Sequence, residues 1–189
     1  MAVGKALAAL VAGHAAATVV SVRGGLTASS PATDEQQSGA DGFVPAKAAD
    51  AELVRLAKLE TELYRGQPRW PRIGTSYAAD CALETPLIAV QGEQAVTRCA
   101  KFWASLKPVQ LAHREEYALD GKSFRVFLST EVSLLSRTFL IPSCVEIELD
   151  DAGRVARHQE TWHGNQLVPE LHIVRQINGW ILENLFAPK

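Results

Sequence analysis

Two alternating stretches hold the residues best suited to proton chemistry. In 155–163, His158, Glu160 and Trp162 stand at every second position, and in 109–119, His113, Glu115 and Tyr117 do the same. Period two places such residues on one face of a β-strand. If both faces look into one cavity, that cavity holds two imidazoles and two carboxylates. They would form a general acid/base pair for an apolar substrate, with Trp162 and Tyr117 as walls. Two histidines and a carboxylate could also ligate a metal. The plainer reading, which spacing alone does not overturn, is that the pairs face solvent or that each imidazole is simply oriented by its neighbouring carboxylate. His158 and Glu160 are therefore the candidate catalytic residues, and Tyr117, His113, Glu115 and Trp162 the candidate pocket-lining ones. No metal and no cofactor is assigned. His163 falls on the opposite face beside Gly164 and reads as a loop residue, while Glu84 and Arg137 read as surface or pocket-rim charges.

The elements that must position these residues are legible from periodicity. Asp50 caps a helix whose apolar positions Leu53, Leu56, Leu59 and Leu63 recur at helical spacing, and Gly66 followed by Pro68 ends it. A second helix runs over 92–107, with Val96, Cys99, Trp103 and Leu106 on one stripe and Pro108 as the stop. Between them, 83–87 reads as an early strand. Beyond Pro108 the period changes to two. One strand spans 109–119, and the next places Phe124, Val126, Leu128, Thr130, Val132 and Leu134 on one face. Asp120-Gly121 is expected as a two-residue hairpin turn with both residues at positive φ. A strand over 139–149 follows, with Pro142 marking a bulge or an edge, and Asp150-Asp151-Ala152-Gly153 turns into the strand of His158. Helices first and antiparallel strands afterwards give an α+β domain over 50–167 with the helices on one sheet face. Its expected core includes Leu53, Leu56, Leu59, Leu63, Val96, Trp103, Phe124, Val126, Leu128 and Val132. The last segment, 168–189, is apolar nearly all round and reads as a helix broken or capped near Gly179, buried in the domain, a partner or lipid.

The composition of the 189 residues, 47% hydrophobic and 21% charged, is that of a folded chain with a packed core. A net charge of −2 offers no basic field for a phosphate backbone, which argues against nucleic acid as a partner. Cys81, Cys99 and Cys144 lack metal-site spacing and read as buried thiols in a reducing compartment. Residues 1–33 contain no Asp or Glu, and 6–22 is nearly all Ala, Val, Leu and Gly. That fits a cleaved organellar leader, mitochondrial in preference to plastid, a retained membrane anchor or a secretory signal. The polar stretch 34–49 reads as a flexible linker.

Two segments carry a family resemblance. Tyr77-Ala78-Ala79-Asp80-Cys81-Ala82-Leu83-Glu84-Thr85-Pro86, with Gly92 opening a helix after it, and Leu149-Asp150-Asp151-Ala152-Gly153-Arg154-Val155, ahead of a strand ending at Trp162, resemble the nuclear transport factor 2-like, or SnoaL-like, superfamily. The resemblance implies a cone of curved antiparallel sheet and helices around an apolar pocket, often in a homodimer. It also implies that the base of a ketosteroid isomerase would fall at Thr85 and its oxyanion-binding aspartate near Val145. A hydroxyl and an isopropyl group cannot do that chemistry. The sequence is therefore read first as a non-catalytic binding or assembly module, an accessory subunit at an organellar membrane with protein partners or a homodimeric mate. The alternative is a lyase, isomerase or hydrolase for a small hydrophobic molecule that uses His158 and Glu160.

Overall fold

The computed structural model describes residues 43–45, 50–66, 74–134, 137–163, 167 and 169–186. The N-terminal segment 1–33, with its apolar run at 6–22, lies outside them. Among the described residues no helix is long and apolar enough to cross a membrane.

Helix α1 (Ala51–Tyr64) starts where Asp50 accepts a hydrogen bond from the Glu52 amide at 2.7 Å, leaving the chain extended before it. Its buried stripe runs through Leu53, Leu56, Ala57, Glu60 and Tyr64, so a carboxylate occupies a core position. Strand β2 (Tyr77–Glu84) and the short β3 (Ala89–Gln91) form a hairpin that replaces the expected strand through Leu87. Turn chemistry decides this. Pro86 cannot donate to a ladder, and the Thr85 hydroxyl accepts from the Leu87 and Ile88 amides, both at 3.1 Å. Helix α2 (Glu93–Ser105) follows from Gly92 and ends before Pro108.

Strands β4 (Val109–Ala118), β5 (Ser123–Leu134), β6 (Arg137–Leu149) and β7 (Val155–Trp162) pair antiparallel in succession. Strand β1 (Phe43–Pro45) adds to β4, and the seven-stranded order is β1-β4-β5-β6-β7-β2-β3. The sheet is mixed, because β2 lies parallel to β7. β1 falls within the segment expected to be a linker. Its apolar residues give it a reason to dock: Val44 packs against the main core and the Arg125 guanidinium lies 4.1 Å from the centre of the Phe43 ring. Asp120-Gly121 does join β4 to β5, within a connection over 119–122. Only Gly121 takes positive φ, 67°, and the Asp120 carboxylate instead accepts from the Lys122 amide. Pro142 sits where β7 has run out. The β6–β7 ladder ends at Ser143 and Trp162, and the Pro142 carbonyl takes the last bond from the His163 amide at 2.8 Å.

The registers align residues in rows across the concave face. Glu115, Val126, Val145 and Glu160 form one row, and Tyr117, Phe124, Ile147 and His158 the next. α1 and α2 pack over this face, and the main core contains Leu53, Leu56, Leu63, Val96, Phe124, Val126 and Leu128. Val132 belongs instead to a smaller cluster with Ile141 and Trp162, and Leu59 is buried outside both clusters. Helix α3 (His172–Ile181), entered by a 3-10 turn at Pro169–Leu171 and continued by a π turn at Leu182–Phe186, runs through Gly179 without a break. That glycine permits close approach, since a Cβ there would lie 2.6 Å from the Ala89 carbonyl oxygen and 2.5 Å from Val90 Cγ1. Burial is one-sided. Arg175, Gly179 and Leu182 are buried, whereas Ile173, Ile177 and Trp180 are 43–68% exposed.

Candidate functional site

β7 brings three residues of one face to the wall of a partly open cavity. His158, Glu160 and Trp162 are all buried and line a space of about 100 Å³ together with Tyr64 of α1, Tyr77 of β2, and Val96, Cys99 and Trp103 of α2. Leu182, from the turn after α3, closes on the same space, so the C-terminal segment helps to build the site. Most of the lining is apolar. Its polar groups gather into one connected chain.

That chain begins at Glu60. The Tyr77 hydroxyl lies 2.7 Å from Glu60 Oε1 and 2.8 Å from His158 Nδ1. Across the ring, His158 Nε2 lies 3.1 Å from the Tyr64 hydroxyl, which is 2.9 Å from Glu160 Oε2. The Trp162 indole N–H donates to Glu160 Oε1 at 2.7 Å, and Ser143 donates to the same carboxyl. Two carboxyl groups are thus bridged through tyrosine, histidine and tyrosine, with no water needed between them. Glu60 Oε2 has no hydrogen bond of its own and sits 3.4 Å from His158 Nδ1.

Burial sets the electrostatics. It pushes the Glu60 carboxyl up to about 7, against a single lowering bond from Tyr77. It holds the His158 imidazole down to about 3, so the ring is neutral at physiological pH. Glu160 is raised by burial and opposed by its three donors, Trp162, Tyr64 and Ser143. Both tyrosines are driven well above their ordinary range, first by burial and then by the neighbouring carboxyls. Cys81 and Cys99 are likewise pushed up, to about 11 and about 12, by burial, so they are protonated thiols.

The other alternating strand fares differently. His113 and Glu115 share the concave face with His158 and Glu160, but three strand spacings separate them, about 14 Å along the sheet. Buried Val126 and Val145 lie between the two carboxylates. His113 is exposed and 3.9 Å from Glu115, and Tyr117, although fully buried, spends its hydroxyl on Glu115 at 2.6 Å and does not line the cavity. The expected single cavity holding both pairs is not formed, because the sheet width separates them and, among the described residues, β1 pairs only with Glu116–Ala118 of β4. The two-histidine metal arrangement fails for the same reason. Among the described residues no group of three or more His, Cys, Asp or Glu is placed to hold a metal. Thr85 lines the cavity, but its hydroxyl is engaged by the β2–β3 turn, and Val145 is core. Glu84 lies on a second cleft near Arg157, His172 and Arg175.

Sequence reasoning missed Glu60, Tyr64 and Tyr77. For the first two a signal existed: Glu60 follows Leu53 by seven residues, and Tyr64 follows Glu60 by four, on the helix's apolar stripe. A carboxylate at such a position needs a buried partner. Tyr77 opens the motif that carries the family resemblance, but nothing local pointed its hydroxyl at His158.

No protein-family model matches the chain, and no curated protein matches it. Solved structures do. A nuclear transport factor 2-like protein from Anabaena variabilis superposes with a TM-score of 0.50 at 9% identity, over 61% of this chain and 92% of that one. The epoxide hydrolase/cyclase-like enzyme SalBIII, of pyran ring formation in salinomycin, gives 0.49 at 14% identity, over 60% and 91%. A steroid delta-isomerase from Pseudomonas aeruginosa gives 0.45 at 14%, over 70% and 92%. The first of these identifies the architecture of this chain as the nuclear transport factor 2-like α+β cone fold.

Proposed function

We propose that this chain, a nuclear transport factor 2-like cone, is an acid–base enzyme that isomerises, eliminates from or hydrolyses a small apolar molecule held in its cavity. The observation that carries this reading is the placement of Glu160 and His158 side by side on the wall of an otherwise apolar space. Burying a carboxyl there is costly unless its protonation is put to use or fully satisfied. Glu160 has the exposure to the cavity and the raised affinity for a proton that a general acid or base requires. The Tyr64 hydroxyl, itself in contact with His158, orients it from the same cavity wall. Trp103 lines the same space, and its buried indole N–H meets no acceptor among the described residues. Cavities of ~150 Å³ hold a benzene-sized molecule, so the space of about 100 Å³ here suits a substrate portion smaller than one ring.

The test is turnover of small cyclic enones, epoxides and β-hydroxy ketones by the full chain, compared with Glu160→Gln and with Ala100→Phe, which fills the cavity. Loss of turnover in both variants with the fold retained supports the reading. Turnover equal to wild type in both would sink it.

A binding module without turnover is the second reading, and one observation favours it. Ile173, Ile177 and Trp180 stand four and three residues apart on the outer face of α3, exposed to solvent. Its test is sedimentation of the wild type against Ile177→Lys/Trp180→Lys. Loss of a higher-order species would support it, and a wild-type monomer would remove it.

A further inference from the structure

Between the two carboxyls lie four hydrogen-bonded contacts: Glu60 to Tyr77, Tyr77 to Nδ1, Nε2 to Tyr64, and Tyr64 to Glu160. Each contact needs one proton. The two hydroxyls and a neutral imidazole supply three, and the fourth must come from outside this set. Placing it on the imidazole would charge a ring that burial keeps neutral. It therefore belongs to a carboxyl. Two arrangements satisfy all four contacts. With the proton on Glu60, every bond points toward Glu160 and His158 carries its hydrogen on Nε2. With the proton on Glu160, every bond is reversed and the hydrogen is on Nδ1. Both arrangements have the same net charge.

Resting on the acid–base reading above, we infer that Glu60, which does not line the cavity, shares one proton with Glu160 through Tyr77, His158 and Tyr64. The position of that proton decides whether Glu160 meets the substrate as base or as acid. The exchange balances without any co-reactant. The Glu60 O–H breaks as the Tyr77 hydroxyl re-forms, and the old Tyr77 proton passes to Nδ1. The Nε2 proton passes to Tyr64, and the old Tyr64 proton forms the O–H of Glu160. One negative charge moves from Glu160 to Glu60, and no side chain rotates. At rest the proton sits on Glu60, because three donors stabilise ionised Glu160 and only one reaches Glu60, whose Oε2 accepts no hydrogen bond among the described residues. The groups facing Glu60 are Tyr77 from β2, His158 from β7 and Tyr64 one turn along α1, with the Cys81 thiol beside Tyr77. Glu60 is thus a positioning residue, acting on the substrate only through the chain.

The amide of a Glu→Gln variant carries a permanent N–H donor in place of the removable proton, and with that donor turned to the chain the two variants hold His158 in opposite tautomers. The experiment is nitrogen NMR of the full chain with labelled histidine, the His158 signal being identified by its loss in His158→Ala. Glu60→Gln should show the hydrogen on Nε2 and Glu160→Gln on Nδ1, an exchange a purely structural role would not produce. The same tautomer in both variants, or an imidazolium at neutral pH, overturns the proposal. The wild type gives a second reading that needs no variant to fold: a buried, protonated carboxyl band in the infrared that disappears as pH rises through about 7. Its absence at lower pH also overturns the proposal. Turnover lost in Glu160→Gln without tautomer exchange removes the relay and leaves the enzyme reading intact, whereas exchange in a chain without turnover supports the relay and removes the enzyme.

Discussion

His113 and Glu115 have the same residue types and spacing as His158 and Glu160 and occupy the same sheet face, with Glu115 and Glu160 at the two ends of one cross-strand row, yet only the second pair is buried. The difference lies in what covers each end. At β7, α1 lays Glu60 and Tyr64 across the face and β2 adds Tyr77 beside it, so imidazole and carboxylate lose water and gain protein partners. At β4, among the described residues, β1 pairs only with Glu116–Ala118, and His113 is exposed. Chemistry at a cavity wall thus depends less on the pair than on its cover.

The widest separation between the two ends should appear in turnover. Glu160→Gln should cost about 10²–10⁴-fold in kcat, the usual range for a general acid or base, while Glu115→Gln should leave it within about twofold. Equal losses at both positions would erase the comparison.

Stability should separate them next. His158→Ala leaves a buried void and strips partners from two tyrosine hydroxyls, so a loss of about 3 kcal/mol is expected, against roughly 0.5 or less for exposed His113→Ala. Urea unfolding of the two variants measures this directly.

The pH dependence sharpens it further. The lowered value of His158 means that the unfolded chain takes up a proton below about 6.5 that the folded one refuses down to about 3, so stability present above that window is lost as pH falls. Glu60 has the opposite sign. Its contribution is full below about 4.5 and is lost as pH rises through about 7. Between these limits the two effects offset each other in the wild type. Glu60→Gln removes one of them, and the variant should lose up to about 1.4 kcal/mol per pH unit as pH falls from 6.5 toward 4.5. Parallel profiles for wild type and Glu60→Gln would show that Glu60 is ionised throughout.

The smallest contrast lies along α3, which is itself covered on one side and open on the other. Gly179→Ala forces a methyl into the Ala89 carbonyl and should cost roughly 1–3 kcal/mol, whereas Ile173→Lys on the open side should cost about 0.5 kcal/mol or less. Thermal unfolding distinguishes them.

Much of this molecule was set by local pattern. Asp50 and the leucine stripe specify α1, alternation from Val109 to Trp162 specifies the four long strands, and period two alone places His158, Glu160 and Trp162 on one face. Hydrophobic periodicity acts through neighbours two to four residues apart, so it reports which side of an element turns inward and where the element ends. It carries no term for what arrives from elsewhere in the chain. Register across β4, β5 and β6 put about 14 Å between the two histidine pairs, and docking of α1 brought Glu60 and Tyr64 to a strand more than ninety residues away. Only that long-range packing turned one of two matching sequence patterns into a dry, hydrogen-bonded acid–base chain, because removal from water shifts a pKa and orders a network, and neither is a property of the strand itself.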